Sequence, residues 1–179
     1  MTIDSPQLFL RRDTLDDLPP FALPAGFSLH SEREGDEAVW EALIERAFGS
    51  HYSFEKCVRE KDGYRPDGVL FIALDGKEIA TATAAEQATW FPGEGWLRMV
   101  GSDPAVRGRG AGRLACLAAL HCLAAHGYKS AVLSTDDHRL PAISLYRSLG
   151  FCPLLLREDH AERWKRVDEL LGERLKKGS

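Results

Sequence analysis

Long apolar stretches are missing from this sequence. No run of about 18 consecutive apolar residues occurs, which is roughly the length that a membrane-spanning helix needs. The first residues also lack the apolar segment of a secretory signal. We therefore expect a soluble protein in the cytoplasm with no membrane partner.

Paired cysteines and excess positive charge are also absent. The four cysteines form no Cys-x-x-Cys pair, so we expect reduced thiols and no metal site. The formal net charge of −4 argues against a general nucleic-acid binder, because such proteins carry a basic surface. A length of 179 residues with 44% hydrophobic residues is typical of a single globular domain with its own core.

The strongest pattern in the chain lies at residues 96–127. A short apolar run at residues 97–100 leads through a Ser-Asp-Pro turn into a glycine-rich loop and then into an Ala- and Leu-rich segment. This order predicts a strand, a turn, a loop and a helix over residues 111–125. The glycines permit a tight turn, and the first N–H groups of a helix have no partners within it. The stretch therefore predicts a phosphate or pyrophosphate site.

Charge and spacing narrow the choice of phosphate ligand. Arg107, Arg109 and Arg113 surround the loop with positive charge. No Lys follows the glycines as in a Walker loop, and no acidic residue follows about 20 residues later as in a dinucleotide fingerprint. The pattern that remains is Arg-x-x-Gly-x-Gly, formed by Arg107, Gly110 and Gly112.

This pattern resembles the acyl-CoA pyrophosphate loop of the GCN5-related N-acetyltransferases, the GNAT superfamily. A second segment, AISLYRSLGF at residues 142–151, resembles the A-I-x-L-Y-x-x-x-G-F segment of the same family. The two motifs occur in the family's order with a predicted strand between them. The resemblance covers roughly residues 27–153, and the flanking segments resemble the subgroup related to mycothiol synthase.

The order of apolar runs and turns predicts a mixed α/β fold. A three-strand meander followed by alternating helices and strands indicates a mostly antiparallel, twisted sheet with helices on both faces, as the resemblance also implies. We expect an N-terminal arm at residues 1–26, an acetyltransferase domain at 27–158 and a tail helix at 159–179 that packs on it. Within these, we expect a short edge strand at residues 8–10 and a second helix at 53–61.

The resemblance implies acetyl-CoA as the cosubstrate and assigns its contacts. The pyrophosphate is expected at Arg107, Gly108, Arg109, Gly110, Ala111, Gly112 and Arg113. The pantetheine arm is expected to bond to the backbone of Met99 and Val100, like an added strand. Arg139 stands where many relatives have an Asn that contacts the cofactor, so we expect Arg139 to contact the cofactor as well.

The resemblance also assigns the proton transfers. Tyr146 stands at the family's tyrosine position, where a phenol can protonate the departing thiolate of CoA. The alternative is that Tyr146 only packs against the cofactor. Many relatives carry a catalytic Glu on the strand before the glycine loop, but this strand has none. Glu86 on the neighbouring strand is the expected base, with Glu94, Asp103 and a water chain as alternatives.

The reaction implied is direct transfer of the acetyl group to a primary amine of a small molecule within a ternary complex. Two alternatives stay open: acetylation of a protein or peptide amine, and a non-catalytic sensor that binds acyl-CoA. An enzyme is favoured because the motif residues are intact, namely Arg107, Gly110, Gly112 and Tyr146. The sensor remains an alternative because the sequence shows no obvious base.

The resemblance also makes four residues candidates for the wall of the acceptor site: His51, Tyr52, Phe54 and Glu55. The alternative is that Phe54 belongs to the core and the others to the ordinary surface. A homodimer is one option for the assembly.

Overall fold

The protein is described by a computed structural model over residues 6–177, with side chains up to residue 174. Residues 1–5 and 178–179, which belong to the expected arm and tail, lie outside the described residues. The chain divides into two compact units, Thr14–Ala131 and a second unit formed by residues 6–13 and 132–177. Within the described part, no helix is long and apolar enough to cross a membrane.

Strands and helices are both present throughout the described chain, so the fold class is mixed α/β as predicted. In chain order the elements are β1 (Leu8–Arg12), β2 (Phe27–Ser31), α1 (Asp36–Phe48), a π-helical turn (Glu55–Arg59), a 3₁₀ turn (Pro66–Gly68), β3 (Val69–Leu74), β4 (Lys77–Glu86), β5 (Gly95–Ser102), a second 3₁₀ turn (Pro104–Val106), α2 (Ala111–Ala125), β6 (Ala131–Thr135), α3 (Leu140–Ser148), β7 (Cys152–Leu154) and α4 (His160–Lys177).

The first unit is built on four strands in the order β2-β3-β4-β5, and each neighbouring pair is antiparallel. Asp75 and Gly76 connect β3 to β4 with φ angles of 51° and 80°. Two successive positive φ angles define the turn that matches the twist of a two-residue hairpin. The Asp-Gly pair between two apolar runs is a hairpin signal in the sequence, and the predicted three-strand meander is present.

Residues 78–90 are rich in Ala and Thr and predict one long strand, but β4 is shorter than this pattern indicates. It ends at Glu86 because the chain then folds back on itself. The Phe91 N–H donates to the Gln87 carbonyl at 2.9 Å, and the Glu94 N–H donates to the Phe91 carbonyl at 3.1 Å. These local bonds replace the ladder of the sheet and close the turn that leads to β5.

The helix expected over residues 53–61 is wrong in length and type, since only the π-helical turn Glu55–Arg59 forms. Its two apolar anchors, Phe54 and Val58, belong to a buried cluster with Trp40 of α1. The rings of Trp40 and Phe54 meet edge to face with 5.2 Å between their centroids. Both ends of this short turn are anchored to α1, so the segment is held in place although the helix does not continue.

Helices α1 and α2 pack closely on β5 because two residues of this strand, Gly95 and Gly101, have no side chain. A Cβ at Gly101 would lie 2.7 Å from Cδ1 of Ile44 on α1, and a Cβ at Gly95 would lie 2.8 Å from Cδ1 of Leu123 on α2. Both distances are too short for a real side chain, so each glycine permits the approach of a helix. Helix α2 has the predicted bounds and is buried along most of its length.

The second unit holds the remaining three strands in the order β6-β1-β7. The expectation of an edge strand at residues 8–10 is wrong, because β1 lies between two neighbours. Leu8, Phe9 and Leu10 are all fully buried, and a strand that is apolar on both faces needs cover on both sides. Strand β1 pairs antiparallel with β7, where Phe9 faces Leu154.

Candidate functional site

Strand β5 carries a bulge directly before the glycine loop. Thr81 pairs with Gly101 and Thr83 pairs with Arg98, so one residue of β4 opposes two residues of β5, Met99 and Val100. Met99 has a φ of 48°, which is uncommon for a residue with a side chain. A bulge leaves backbone polar groups outside the ladder. These are the two residues whose backbone is expected to bind the pantetheine arm.

The turn after β5 is held by Asp103, a buried carboxylate. Its Oδ1 accepts a hydrogen bond from the Ala105 N–H at 2.9 Å, and its Oδ2 accepts one from Nε of Arg46 at 2.9 Å. The hydrogen bond from the Ala105 backbone, followed by that from Arg46, lowers the pKa of Asp103 below its ordinary value. Asp103 therefore acts as a clamp on the turn, and its role as an alternative base stays a prediction.

The glycine loop ends at an open helix terminus. Gly108 and Gly110 have φ angles of 84° and 78°, and Gly110 caps α2 without any side-chain hydrogen bond. Within residues 6–177, no acceptor reaches the N–H groups of Gly110, Ala111 and Gly112. Such unpaired N–H groups and the helix dipole together attract an anion.

Positive side chains surround this terminus as predicted from the sequence. Arg107 and Arg109 are exposed, and Arg113 is half-buried on the first turn of α2. No acidic residue lies in the first turn of α2, although acidic residues often stabilise helix N termini. The terminus therefore keeps its positive potential and suits a doubly charged group such as a pyrophosphate.

Glu86, the expected base, is the last residue of β4 and pairs with Gly95 of β5. Its Oε2 accepts a hydrogen bond from the Tyr128 hydroxyl at 3.1 Å. Burial, followed by the hydrogen bond to Glu86, raises the pKa of Tyr128. The alternative base Glu94 is engaged similarly, since its Oε2 accepts from the Ser130 hydroxyl at 3.3 Å. Both roles remain predictions.

A cavity of about 340 Å³ lies where the ends of β4 and β5 meet the segment after the π-helical turn. Five of its lining residues are charged: Glu60, Lys61, Asp62, Glu86 and Arg98. Trp90 and Trp96 add aromatic walls, and their ring centroids lie 6.3 Å apart. A volume near 300 Å³ is at the lower end of the range of small-molecule sites.

Arg98 is the residue of this cavity that sequence reasoning missed. It follows Trp96 and Leu97 on β5 and directly precedes the bulge at Met99. Its Nη2 donates to the Cys57 carbonyl at 2.6 Å, and burial lowers the pKa of its guanidinium. The signal that could have revealed it is a lone charged residue within the apolar run of β5.

The candidate acceptor residues at 51–55 lie outside this cavity. Phe54 is 1% exposed and belongs to the core cluster with Trp40. Tyr52 packs edge to face on Phe48, with 5.5 Å between the ring centroids. The cavity at Arg98 is lined by residues 60–62 and by none of the residues 51–55. The candidates at 51–55 stay a prediction.

The two remaining predicted site residues belong to the second unit. Tyr146 is buried on α3, and its ring packs edge to face on Phe151 with 6.2 Å between the centroids. Arg139 stands at the N terminus of α3, where its Nε donates to Oδ2 of Asp136 at 3.0 Å. The bond to Asp136 fixes the Arg139 side chain beside the helix that carries Tyr146.

Comparison with known proteins identifies relatives of this chain. The model of the acetyltransferase (GNAT) family matches residues 33–151. A mycothiol acetyltransferase of Acidothermus cellulolyticus is 30% identical over 164 residues, which cover 80% of this chain and 50% of that protein. A mycothiol acetyltransferase of Thermobispora bispora is 33% identical over 155 residues, which cover 79% of this chain and 52% of that protein. The chain spans about half the length of these curated relatives.

Solved structures show the same fold. A GCN5-related N-acetyltransferase from Sphaerobacter thermophilus superposes with a TM-score of 0.63 at 25% sequence identity. The superposition covers 83% of this chain and 48% of that chain. This match confirms the predicted fold class across both units of the described chain.

Proposed function

Because this chain belongs to the acetyltransferase (GNAT) family, we propose that it transfers the acetyl group of acetyl-CoA to a primary amine of a small molecule. The observation that carries the proposal is the continuous series of bulge, clamped turn and open helix terminus from Met99 to Gly112. The bulge and the helix terminus each suit one portion of the cofactor, and the clamped turn connects them.

The open terminus of α2 suits the pyrophosphate of acetyl-CoA. Gly110, Ala111 and Gly112 present N–H groups that lack partners among the described residues, and Arg107 and Arg109 are exposed beside them. Glycine at residues 108 and 110 also keeps the loop free of side chains that would hold a ligand away from the backbone. The residues present therefore fit the group that the family uses.

The bulge at Met99 and Val100 suits the pantetheine arm. The amide groups of the pantetheine arm can pair with the backbone groups that the bulge leaves outside the ladder. The stretch from the turn at Ser102 back to Arg98 is four residues, or roughly 13 Å of strand. An extended pantetheine arm covers such a length, so its thioester end would reach the vicinity of the cavity at Arg98.

Bound acetyl-CoA supplies an activated acyl group, and residues of the chain donate and accept the protons that the reaction transfers. The bond from the acetyl carbon to sulfur breaks, a bond to the amine nitrogen forms, and the amine loses one proton. We assign the proton donor for the departing sulfur to Tyr146, because a phenol hydroxyl can donate a proton. A water chain that ends at Glu86 takes up the proton of the amine, because strand alternation places the Glu86 side chain on the face of the sheet opposite Arg98.

The cavity favours a small acceptor over an extended peptide. Its volume of about 340 Å³ and its two tryptophan walls suit a compact molecule. A bound amine would sit beside the bulge, because Arg98 lines the cavity and directly precedes Met99. Placing the amine next to the thioester is the positioning that acyl transfer requires.

Two variants of Gly110 test the proposal. Gly110 has a φ of 78°, and a Cβ there would meet nothing within 4 Å. Gly110→Ala and Gly110→Asp therefore meet no clash, and Asp is the less strained of the two at this φ, so a greater loss in Gly110→Asp reflects its charge. A carboxylate facing the pyrophosphate should cost several kcal/mol, so affinity for acetyl-CoA should fall by more than about 100-fold in Gly110→Asp relative to Gly110→Ala.

Calorimetric titration with acetyl-CoA measures that difference, and release of free thiol in the presence of amines measures transfer. Equal affinity of both Gly110 variants would contradict the assignment of the loop. Tight binding without thiol release for any small or peptide amine would favour the acyl-CoA sensor, and release with peptides alone would favour a protein acetyltransferase.

A further inference from the structure

Arg98 is a cation on the wall of the cavity with few partners of its own. The hydrogen bond from its Nη2 to the Cys57 carbonyl is its sole hydrogen bond among the described residues. Across residues 6–177 no carboxylate forms an ion pair with it. A guanidinium has five N–H donors in a fixed planar arrangement, so most of them remain available to a ligand.

The acidic residues of the cavity do not take up this charge. Glu86 pairs with Gly95, three residues from Arg98, so strand alternation directs the two side chains to opposite faces of the sheet. The carboxylate of Glu86 is instead bonded to Tyr128. Glu60 and Asp62 are exposed on the segment across the cavity.

The balance of charge around the cavity indicates the kind of ligand. Glu86 is directed to the other face, so two acidic and two basic side chains remain on the cavity side, and their formal charges cancel. A ligand without net charge suits this balance better than a dianion such as a phosphate group, which Glu60 and Asp62 would repel. A zwitterion fits better, with its carboxylate on the one half-buried cation and its ammonium towards the acidic residues.

We propose that the acceptor is a small amine that also bears a carboxylate, of the amino-acid type, and that Arg98 binds this carboxylate. A guanidinium and a carboxylate can form two parallel hydrogen bonds, which fix both the position and the orientation of the acceptor. Arg98 directly precedes the bulge, so an acceptor bound there presents its amine close to Met99. The rings of Trp90 and Trp96 offer apolar surface to the rest of the molecule.

This inference rests on the proposed function, and its test separates the two. Calorimetry on the protein loaded with CoA compares each amino acid of a panel with its own carboxamide, which keeps the amine and loses the negative charge. We expect the preferred amino acid to bind roughly 10- to 100-fold more tightly than its carboxamide, as the loss of a charge-assisted hydrogen-bonded pair implies. Thiol release from acetyl-CoA should show the same preference in KM.

Substitution of Arg98 tests the same preference by changing the protein instead of the ligand. Arg98→Gln should remove the preference for the carboxylate, and Arg98→Lys should restore part of it, because Lys keeps the charge but not the planar pair of donors. Lys56→Gln is the matched control, since it removes one positive charge from an exposed residue outside the cavity. It should leave the preference intact.

The outcomes are distinct. If thiol is released equally with amino acids and their carboxamides, or better with the carboxamides, the inference is wrong and the proposed function stands. If no amine of either kind releases thiol, both fail together. If Arg98→Gln loses stability, the comparison of amino acid with carboxamide on the unaltered protein still decides the matter.

Discussion

Replacing Asp103 by Asn should destabilise the protein by about 1 kcal/mol at neutral pH. The substitution keeps Oδ1, which accepts the hydrogen bond from the Ala105 N–H, but removes the negative charge that faces Nε of Arg46 at 2.9 Å. A charge-assisted hydrogen bond contributes roughly 1.5–3 kcal/mol when buried. The Arg46 side chain is 42% exposed, so solvent screening reduces that contribution.

Asp103→Ala removes both interactions and should cost about 2 kcal/mol, because the Ala105 N–H loses its cap as well. Urea denaturation at constant slope measures both losses, and each kcal/mol should lower Tm by roughly 2–4 °C in a chain of this size. The control is Asp16→Asn, the same chemical change at an exposed residue outside this turn. It should leave the midpoint unchanged.

The loss in Asp103→Asn should depend on pH in a definite direction. The folded-state pKa of Asp103 lies below its ordinary value, so its charge stabilises the fold fully above the unfolded pKa of about 3.9. That stabilisation disappears as the pH falls through the lowered pKa. The gap between the two proteins should therefore be constant from about pH 5 to 8 and shrink below about pH 4. Equal stability at pH 7, or an undiminished gap in acid, would refute the clamp at this turn.

Two further substitutions address the proton donor and the wall of the cavity. Tyr146→Phe should lower kcat about 100-fold while calorimetry shows little change in affinity for acetyl-CoA, because the phenol acts on the departing sulfur. An unchanged kcat would mean that Tyr146 only packs. Gly63→Ala should cost about 2–4 kcal/mol of unfolding free energy, since its Cβ would lie 2.5 Å from the Glu86 nitrogen at a φ of 70°. Gly49→Ala, at a φ of 80° with nothing within 4 Å, should cost only about 1 kcal/mol, and equal losses would disprove the clash.

Local signals were enough to predict much of the fold. Gly49 ends α1 with a φ of 80°, and Asp75-Gly76 forms the hairpin, because these residues determine backbone geometry without outside help. The family and the mycothiol synthase-related subgroup are confirmed by the relatives, since the two motifs that indicated them are local as well. The division into arm, domain and tail stays a prediction.

The predictions that were wrong concern features that depend on contacts between residues distant in the sequence. Periodicity at residues 53–61 indicates a helix, but burial of Phe54 and Val58 against Trp40 determines where it stops. The apolar residues at 8–10 look the same at an edge and in the middle of a sheet, and only the neighbours of β1 distinguish these positions. Arg98 was missed for the same reason, because a sequence does not show which charges lack partners.

The position of β1 between β6 and β7 also constrains the order of folding. Phe9 pairs with Leu154, so 145 residues separate the two partners along the chain. At a synthesis rate of about 5–20 residues per second, β1 leaves the ribosome roughly 7–30 seconds before that partner exists. During most of this time the apolar segment Leu8–Arg12 has neither neighbour, since β6 is made only shortly before β7, whereas residues 14–131 can already form their own strands and helices. Closure of the second unit is therefore a late, long-range step, and the exposed early strand is the part of the nascent chain most in need of protection from aggregation.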